Sequence, residues 1–203
     1  MTYGSLIVET RPIENMSTII GNHTKHLPSD WGLMVICSPD NQHLVPVNAK
    51  KVVLPSAFMN EYEYNKLLTS FWFWQQIPFD KVLLFQHDSE IFRQWDSRFE
   101  QWDYIGAPWS FQSHGGNGGL SWRSVAAMKW CLQQRVWNPT MGNEDIFFCN
   151  ILNGSEEYKL APRMVCSEFS CEAIYQPDPF GAHAIDKWLT PEQCTKLRTQ
   201  NND

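Results

Sequence analysis

The 203-residue chain lacks most of the short signatures that announce a function. Its six cysteines (Cys37, Cys131, Cys149, Cys166, Cys171, Cys194) include no Cys-x-x-Cys pair and no zinc-like spacing, which leaves reduced, structural thiols. No glycine run leads into Gly-Lys-Ser/Thr, which excludes a Walker-type phosphate loop, and no Gly-x-Gly-x-x-Gly stands between a strand and a helix, which excludes the dinucleotide fingerprint. There is no basic excess: 16 Lys and Arg face 22 Asp and Glu for a net charge of -6, so nucleic acid is not an expected partner. No window approaches the roughly 18 uncharged apolar residues of a membrane span, and no basic leader precedes an apolar stretch. The expectation is a soluble, cytoplasmic protein, or a catalytic domain excised from a longer one. Repeats, low-complexity tracts and charge blocks are also missing, so one domain over residues 1–203 is expected.

What is present is a 43% hydrophobic content, enough for a substantial core, and an aromatic-rich composition with ten tryptophans. Trp109, Trp122 and Trp137 sit beside polar or turn residues, where an indole can stack on the apolar face of a sugar or simply fill the core. Along the chain, strand-like and helix-like patterns alternate. Ser5 to Glu9, Leu33 to Ile36, Lys51 to Leu54 and Lys81 to Gln86 read as strands; Ile13 to Leu27 and Asn60 to Gln76 read as helices. The Lys81–Gln86 run is near-continuously apolar from Val82 to Phe85, as in parallel strands buried on both faces, and it exits into His87-Asp88-Ser89. Sheets of this kind bind ligands at the carboxyl ends of their strands, which makes Asp88 the first candidate; the alternative is a turn or N-cap residue. Downstream, Gly116 to Gly119 should allow positive φ and close approach of a ligand, followed by a helix from about Trp122 to Gln134. Asn143 is placed to cap a helix through Leu152 with Glu144 and Asp145 in its first turn. Strand-like pieces at Met164-Val165 and Ala173 to Tyr175 and a helix after Pro191 complete the pattern.

Five blocks in order, Phe85-Gln86-His87-Asp88-Ser89, Asp103 to Trp109, Gly116 to Ser124, Glu144 to Phe148 and Pro179 to His183, resemble a group of little-characterised glycosyltransferase domains of the GT-A, nucleotide-diphospho-sugar type. Val8 to Arg11 and the segment containing Tyr64 and Asn65 also fit. The resemblance implies a single GT-A α/β domain with a mainly parallel central sheet. It implies an enzyme that moves a sugar from a UDP- or GDP-linked donor to a glycan or other hydroxyl acceptor with Mn²⁺ or Mg²⁺, by inversion.

The resemblance also implies residue roles. Gln86-His87-Asp88 takes the place of an Asp-x-Asp motif, so Asp88 is the one carboxylate there, with His183 completing the metal site; Gln86 can still hydrogen-bond a ribose hydroxyl. Glu9, Thr10, Arg11, Asn65, Gly118 and Gly119 are implied donor contacts, and Trp109, Asn117 and Glu144 substrate contacts. Asp145 is the implied base, kept ionised by the helix dipole and amides. Relatives carry a Lys-Pro-Trp-like sequence almost directly after the histidine, whereas here Ala184-Ile185-Asp186 precedes Lys187-Trp188. Two other readings remain: a carbohydrate- or nucleotide-binding module without turnover, which Gln86 favours, and a metal-dependent phosphoesterase using His87, Asp88, His114, Asp145 and His183.

Overall fold

A computed structural model describes residues 1–55 and 60–199. Along the chain come β1 (Tyr3–Val8), α1 (Met16–Thr24), β2 (Gly32–Cys37), β3 (Lys50–Val53), α2 (Glu61–Leu68), α3 (Phe71–Gln76), β4 (Lys81–Phe85) and β5 (Ser89–Ile91). The second half holds β6 (Tyr104–Ala107), β7 (Asn117–Ser124), α4 (Val125–Gln134), α5 (Glu144–Leu152) and α6 (Arg163–Phe169), then β8 (Ser170–Cys171), β9 (Gly181–His183), α7 (Ile185–Trp188) and α8 (Pro191–Thr199).

The fold is α/β, with a mostly parallel six-stranded sheet in the order β3-β2-β1-β4-β7-β6. The strands β3, β2, β1 and β4 are mutually parallel, and β7 is antiparallel to both of its neighbours. Side chains alternate across the sheet as strand geometry requires. Leu6, Val82 and Leu84 enter one core layer, while Ile7, Leu83 and Phe85 enter the other. Burial on both faces explains the unbroken apolar run of β4. The strand order reverses between β1 and β4, and a sheet of this type opens its ligand crevice at that switch, beyond the carboxyl ends of the strands. A three-stranded sheet, β5-β9-β8, stands there and pairs Ser89 with His183.

Several sequence expectations are corrected. Trp122-Arg123-Ser124 belong to β7 and not to a helix, because Leu120 and Trp122 face one core layer while Ser121 and Arg123 face the opposite side. The helix begins at Val125, where the Ser124 hydroxyl accepts the Ala127 N–H as its cap. The predicted Asn60–Gln76 helix is two helices, since Ser70 turns the chain and caps α3 by accepting the Phe73 N–H. Met164-Val165 lie within α6, and the strand expected at Ala173–Tyr175 is instead the short β8. All six cysteines are buried and free. No helix of the described residues is long and apolar enough to cross a membrane.

Candidate active site

Two adjoining cavities occupy the crevice beyond β1 and β4. The first, about 300 Å³, is bounded by Glu9, Thr10, Arg11, Asn60 and His87. The second, about 390 Å³, collects Asn65, Asp88, Asn117, Gly118, Gly119, Glu144, Asp145, Glu172 and His183, with Lys187 and Trp188 among the rest of its wall. Glu61, Tyr64 and Gln86 border both. A larger cavity, about 510 Å³, beside α1 and β2 carries no titratable side chain, and two others with titratable side chains, one around His23, His26 and Glu90 and one around His114 and Lys159, hold neither Asp88 nor Asp145. These volumes fall in the range of small-molecule sites, about 300–1,000 Å³.

At the end of β1, Glu9 is 5% exposed and accepts from the Arg11 N–H and Nε at 2.9 Å each and from Nη2 at 2.6 Å. Arg11 Nη2 also donates to His87 Nδ1 at 3.0 Å. The loop is latched from β2: Asn41 Nδ2 donates to the carbonyls of Glu9 and Arg11, and the Ser38 hydroxyl donates to that of Thr10. Glu9, Thr10 and Arg11 are thereby held rigidly as one wall of the first cavity.

At the end of β4, the Gln86 N–H donates to the Gly119 carbonyl, and the Ser89 hydroxyl donates to that same oxygen. This turn carries Gln86 and Asp88 beside β9. His183 Nε2 lies 3.0 Å from Gln86 Oε1 and 3.3 Å from Asp88 Oδ1, while its Nδ1 meets Glu172 Oε1 at 3.1 Å. Burial works against charge on His183, but the bonds to Asp88 and Glu172 prevail and raise its pKa to about 9. Burial likewise opposes charge on Asp88, yet the His183 bond and charge, with His87, bring it to about 2. Gly119 packs on the His183 ring, where an added Cβ would collide with it. Gly119→Ala is therefore expected to displace His183 from Gln86 and Asp88 and to lower stability by about 1–3 kcal/mol, measurable by urea unfolding.

The second wall is built on a buried ion pair. Arg123, 0% exposed, donates Nη1 and Nη2 to the two oxygens of Glu144 at 2.5 and 2.8 Å, Nε to the Ser121 hydroxyl at 2.8 Å and Nη2 to the Gly118 carbonyl at 3.2 Å. Its guanidinium lies 5.0 Å from the centre of the Tyr104 ring. Glu144, expected to contact substrate, has both oxygens engaged by Arg123. Asp145 Oδ2 accepts the Gly118 N–H at 2.9 Å and Oδ1 accepts the Ile146 N–H at 2.8 Å. Asn143 occupies the cap position, but its side chain makes no capping bond. Asn65 caps from a different helix: its Oδ1 accepts the Glu144 N–H at 2.7 Å and its Nδ2 donates to Asn143 Oδ1 at 3.2 Å.

Asp145 departs from the expectation of a low pKa. Complete burial raises it, the neighbouring Glu144 charge adds to the rise, and the Gly118 N–H, Arg123 and the Ile146 N–H offset only part, leaving it at about 7. The glycine loop is corrected too. None of Gly116, Gly118 and Gly119 has positive φ, which falls on Gly115 (77°) just before the run, and Gly118 is needed for room, because a Cβ there would come within 2.5 Å of Arg123 Nη2 and Glu144 Oε1.

Of the predicted site residues, Glu9, Thr10, Arg11, Asn65, Gln86, Asp88, Asn117, Gly118, Gly119, Glu144, Asp145 and His183 come together in the crevice. Trp109 does not: it is 6% exposed, packed in the core, and lines neither cavity. His114 lies elsewhere, with Nε2 on Asn150 Oδ1 at 3.1 Å, so the five-residue phosphoesterase set is not assembled. Sequence reasoning gave no role to Arg123, Glu172, Tyr64 or Trp188. An arginine inside an otherwise buried strand was a readable signal for Arg123; Glu172 had none. The Tyr64 hydroxyl is buried near Gln86 and Glu144 and makes no hydrogen bond among the described residues. A family model described as "Protein of unknown function (DUF5672)" matches residues 48–183. No curated protein matches the chain.

Proposed function

The chain belongs to this family, and because the family's description assigns no activity, we propose on the strength of the site that the protein is a GT-A-type glycosyltransferase. It moves a sugar from a UDP- or GDP-linked donor to a hydroxyl acceptor. The observation that carries this reading is the convergence of Gln86, Asp88 and His183 at the sheet's switch point, in one cavity with the carboxylate of Asp145.

Among the described residues no cluster of three His, Cys, Asp or Glu side chains could hold a metal. The chain itself offers Asp88 Oδ1 and the amide oxygen of Gln86, 3.3 and 3.0 Å from His183 Nε2, and that nitrogen joins them as a ligand when an ion replaces its proton. Adjacent ligands around an ion that binds oxygen at about 2.1 Å are separated by about 3.0 Å, so this donor set fits Mn²⁺ or Mg²⁺ when a diphosphate and water complete the shell. Glu172 on His183 Nδ1 is the outer partner that orients such a histidine. When bound, the ion supplies Lewis-acid charge to the departing diphosphate.

The protein's own residues do the rest. The first cavity, with Glu9, Thr10 and Arg11, receives the nucleoside. Gly118 and Gly119 let the Arg123–Glu144 pair and the His183 ring close up against β7, which sets the wall that faces the donor. Asp145, held by the Gly118 and Ile146 amides, accepts the proton of the acceptor hydroxyl as it attacks, which gives inversion. Gln86 in place of a first carboxylate favours one rival, a binding module without turnover.

A thermal-shift series with UDP, GDP and their sugars, with and without Mn²⁺, tests the reading. At a hundredfold excess over Kd the expected stabilisation is about 2.7 kcal/mol, or roughly 5–10 °C, dependent on metal and lost in Asp88→Ala. Metal-dependent stabilisation that persists unchanged in Asp88→Ala removes Asp88 from the site. Binding with no release of nucleoside diphosphate across an acceptor panel leaves only the module.

A further inference from the structure

Two aromatic rings, Tyr64 and Trp188, interrupt the polar lining of the second cavity, and of these Trp188 stands open to water. Trp188 is 52% exposed at the end of α7 and lines the same cavity as Asp88, Asn117 and Asp145. Its position is tied to the site. The Ala184 N–H donates to the Asp88 carbonyl at 3.0 Å, Ala184 takes a left-handed conformation (φ 49°), and Ile185 anchors α7 in a small core of its own. The strain of a non-glycine residue at positive φ is tolerated where surrounding contacts over-determine it. Here it turns the chain from His183 directly into the helix that carries Trp188. Lys187 Nζ lies 4.8 Å from the centre of the indole.

An indole left half in water at the rim of a polar cleft is suited to a ligand that is apolar on one face and polar at its edge. A pyranose is such a ligand: its axial C–H bonds meet the negative π face, and its hydroxyls reach outward. The same cavity is lined by Asn117, whose Oδ1 takes the Gly119 N–H and whose amide nitrogen can donate to a hydroxyl, and by the Lys187 ammonium as a second donor. We infer that Trp188 is the stacking platform for a sugar ring in the second cavity, belonging either to the donor or to the acceptor. The sugar lies on the face of the indole away from Lys187, whose Nζ sits over the opposite face. Naming a donor ring rests on the glycosyltransferase reading; naming a sugar does not.

Calorimetry in Mg²⁺ with three kinds of probe separates the sources: UDP and GDP; UDP-glucose and GDP-mannose; methyl glucoside and maltose. Trp188→Ala is expected to leave UDP or GDP affinity within twofold, which also reports an intact fold. It should lower affinity at least tenfold for the nucleotide sugars if the ring is the donor's, or for the free glycosides if it is the acceptor's. Trp188→Phe should stay within threefold of the parent. Equal affinities of parent and Trp188→Ala for every sugar-bearing probe overturn the inference, as does an equal loss for UDP or GDP alone. A parent protein that binds glycosides but no nucleotide sinks the glycosyltransferase reading and leaves the platform to the glycoside arm. One that binds no sugar-bearing probe overturns the platform itself.

Discussion

Asp145→Asn is expected to reduce the transfer rate by about 10²–10⁴-fold, the usual contribution of a positioned general base, while nucleotide affinity stays nearly unchanged. The carboxylate makes no hydrogen bond to Gln86 or His183, so that end of the site should survive the change, while the single amide oxygen of Asn keeps one of the Gly118 and Ile146 N–H bonds and gives up the other. With the free-enzyme pKa at about 7, kcat/KM should climb with pH and level off above that value. Stability responds in the opposite direction. Between pH about 4 and 7 the folded chain retains a proton on Asp145 that the unfolded chain has released, so this group's contribution is largest at the acid side of that window. It falls as pH rises to about 7. Urea midpoints of parent and Asp145→Asn at pH 4.5 and 7.5 check the sign: the parent should lose ground to the variant as pH rises. A parent that gains instead shows Asp145 to be ionised throughout.

Arg123→Met is the change expected to cost most in stability, about 3–5 kcal/mol by urea unfolding. Removing the guanidinium leaves Glu144 with 3% exposure and no counter-charge, and strips the Ser121 hydroxyl and the Gly118 carbonyl of a donor. Adding Glu144→Gln to this variant should recover part of the loss, because the penalty lies mainly in the stranded charge and less in the missing bond. A double variant no more stable than Arg123→Met would place the cost elsewhere, in the packing of the guanidinium against Tyr104. Loss of the pair should also loosen α5 against β7 and lower activity in those molecules that remain folded.

The readable parts of this protein share a cause. The β4 run Lys81–Phe85 is apolar because both of its faces are covered, and that pattern is local, so the strand and the importance of its exit at Asp88 follow from spacing alone. The helix at Glu144 and the last helix after Pro191 were equally legible from cap residues and composition. Trp122 misled for a physical reason: its helix-forming surroundings were overridden by pairing with Leu83 on one side and Ile105 on the other, two partners far away in the chain. Trp109 misled as well, since a turn-like context said nothing of the core it enters.

Local pattern and motif order thus determined the α/β class, the parallel strands β1 to β4 and most members of the crevice. Tertiary structure alone decided what those members do. It gave Glu144 to Arg123, put Asn65 at the head of α5, and replaced Trp109 by Trp188 at the cavity rim. It also turned Asp145 from a carboxylate held low by a helix into one raised to about 7. Periodicity and capping depend on neighbours a few positions away, whereas burial and charge pairing depend on residues that only the fold brings within a few ångströms.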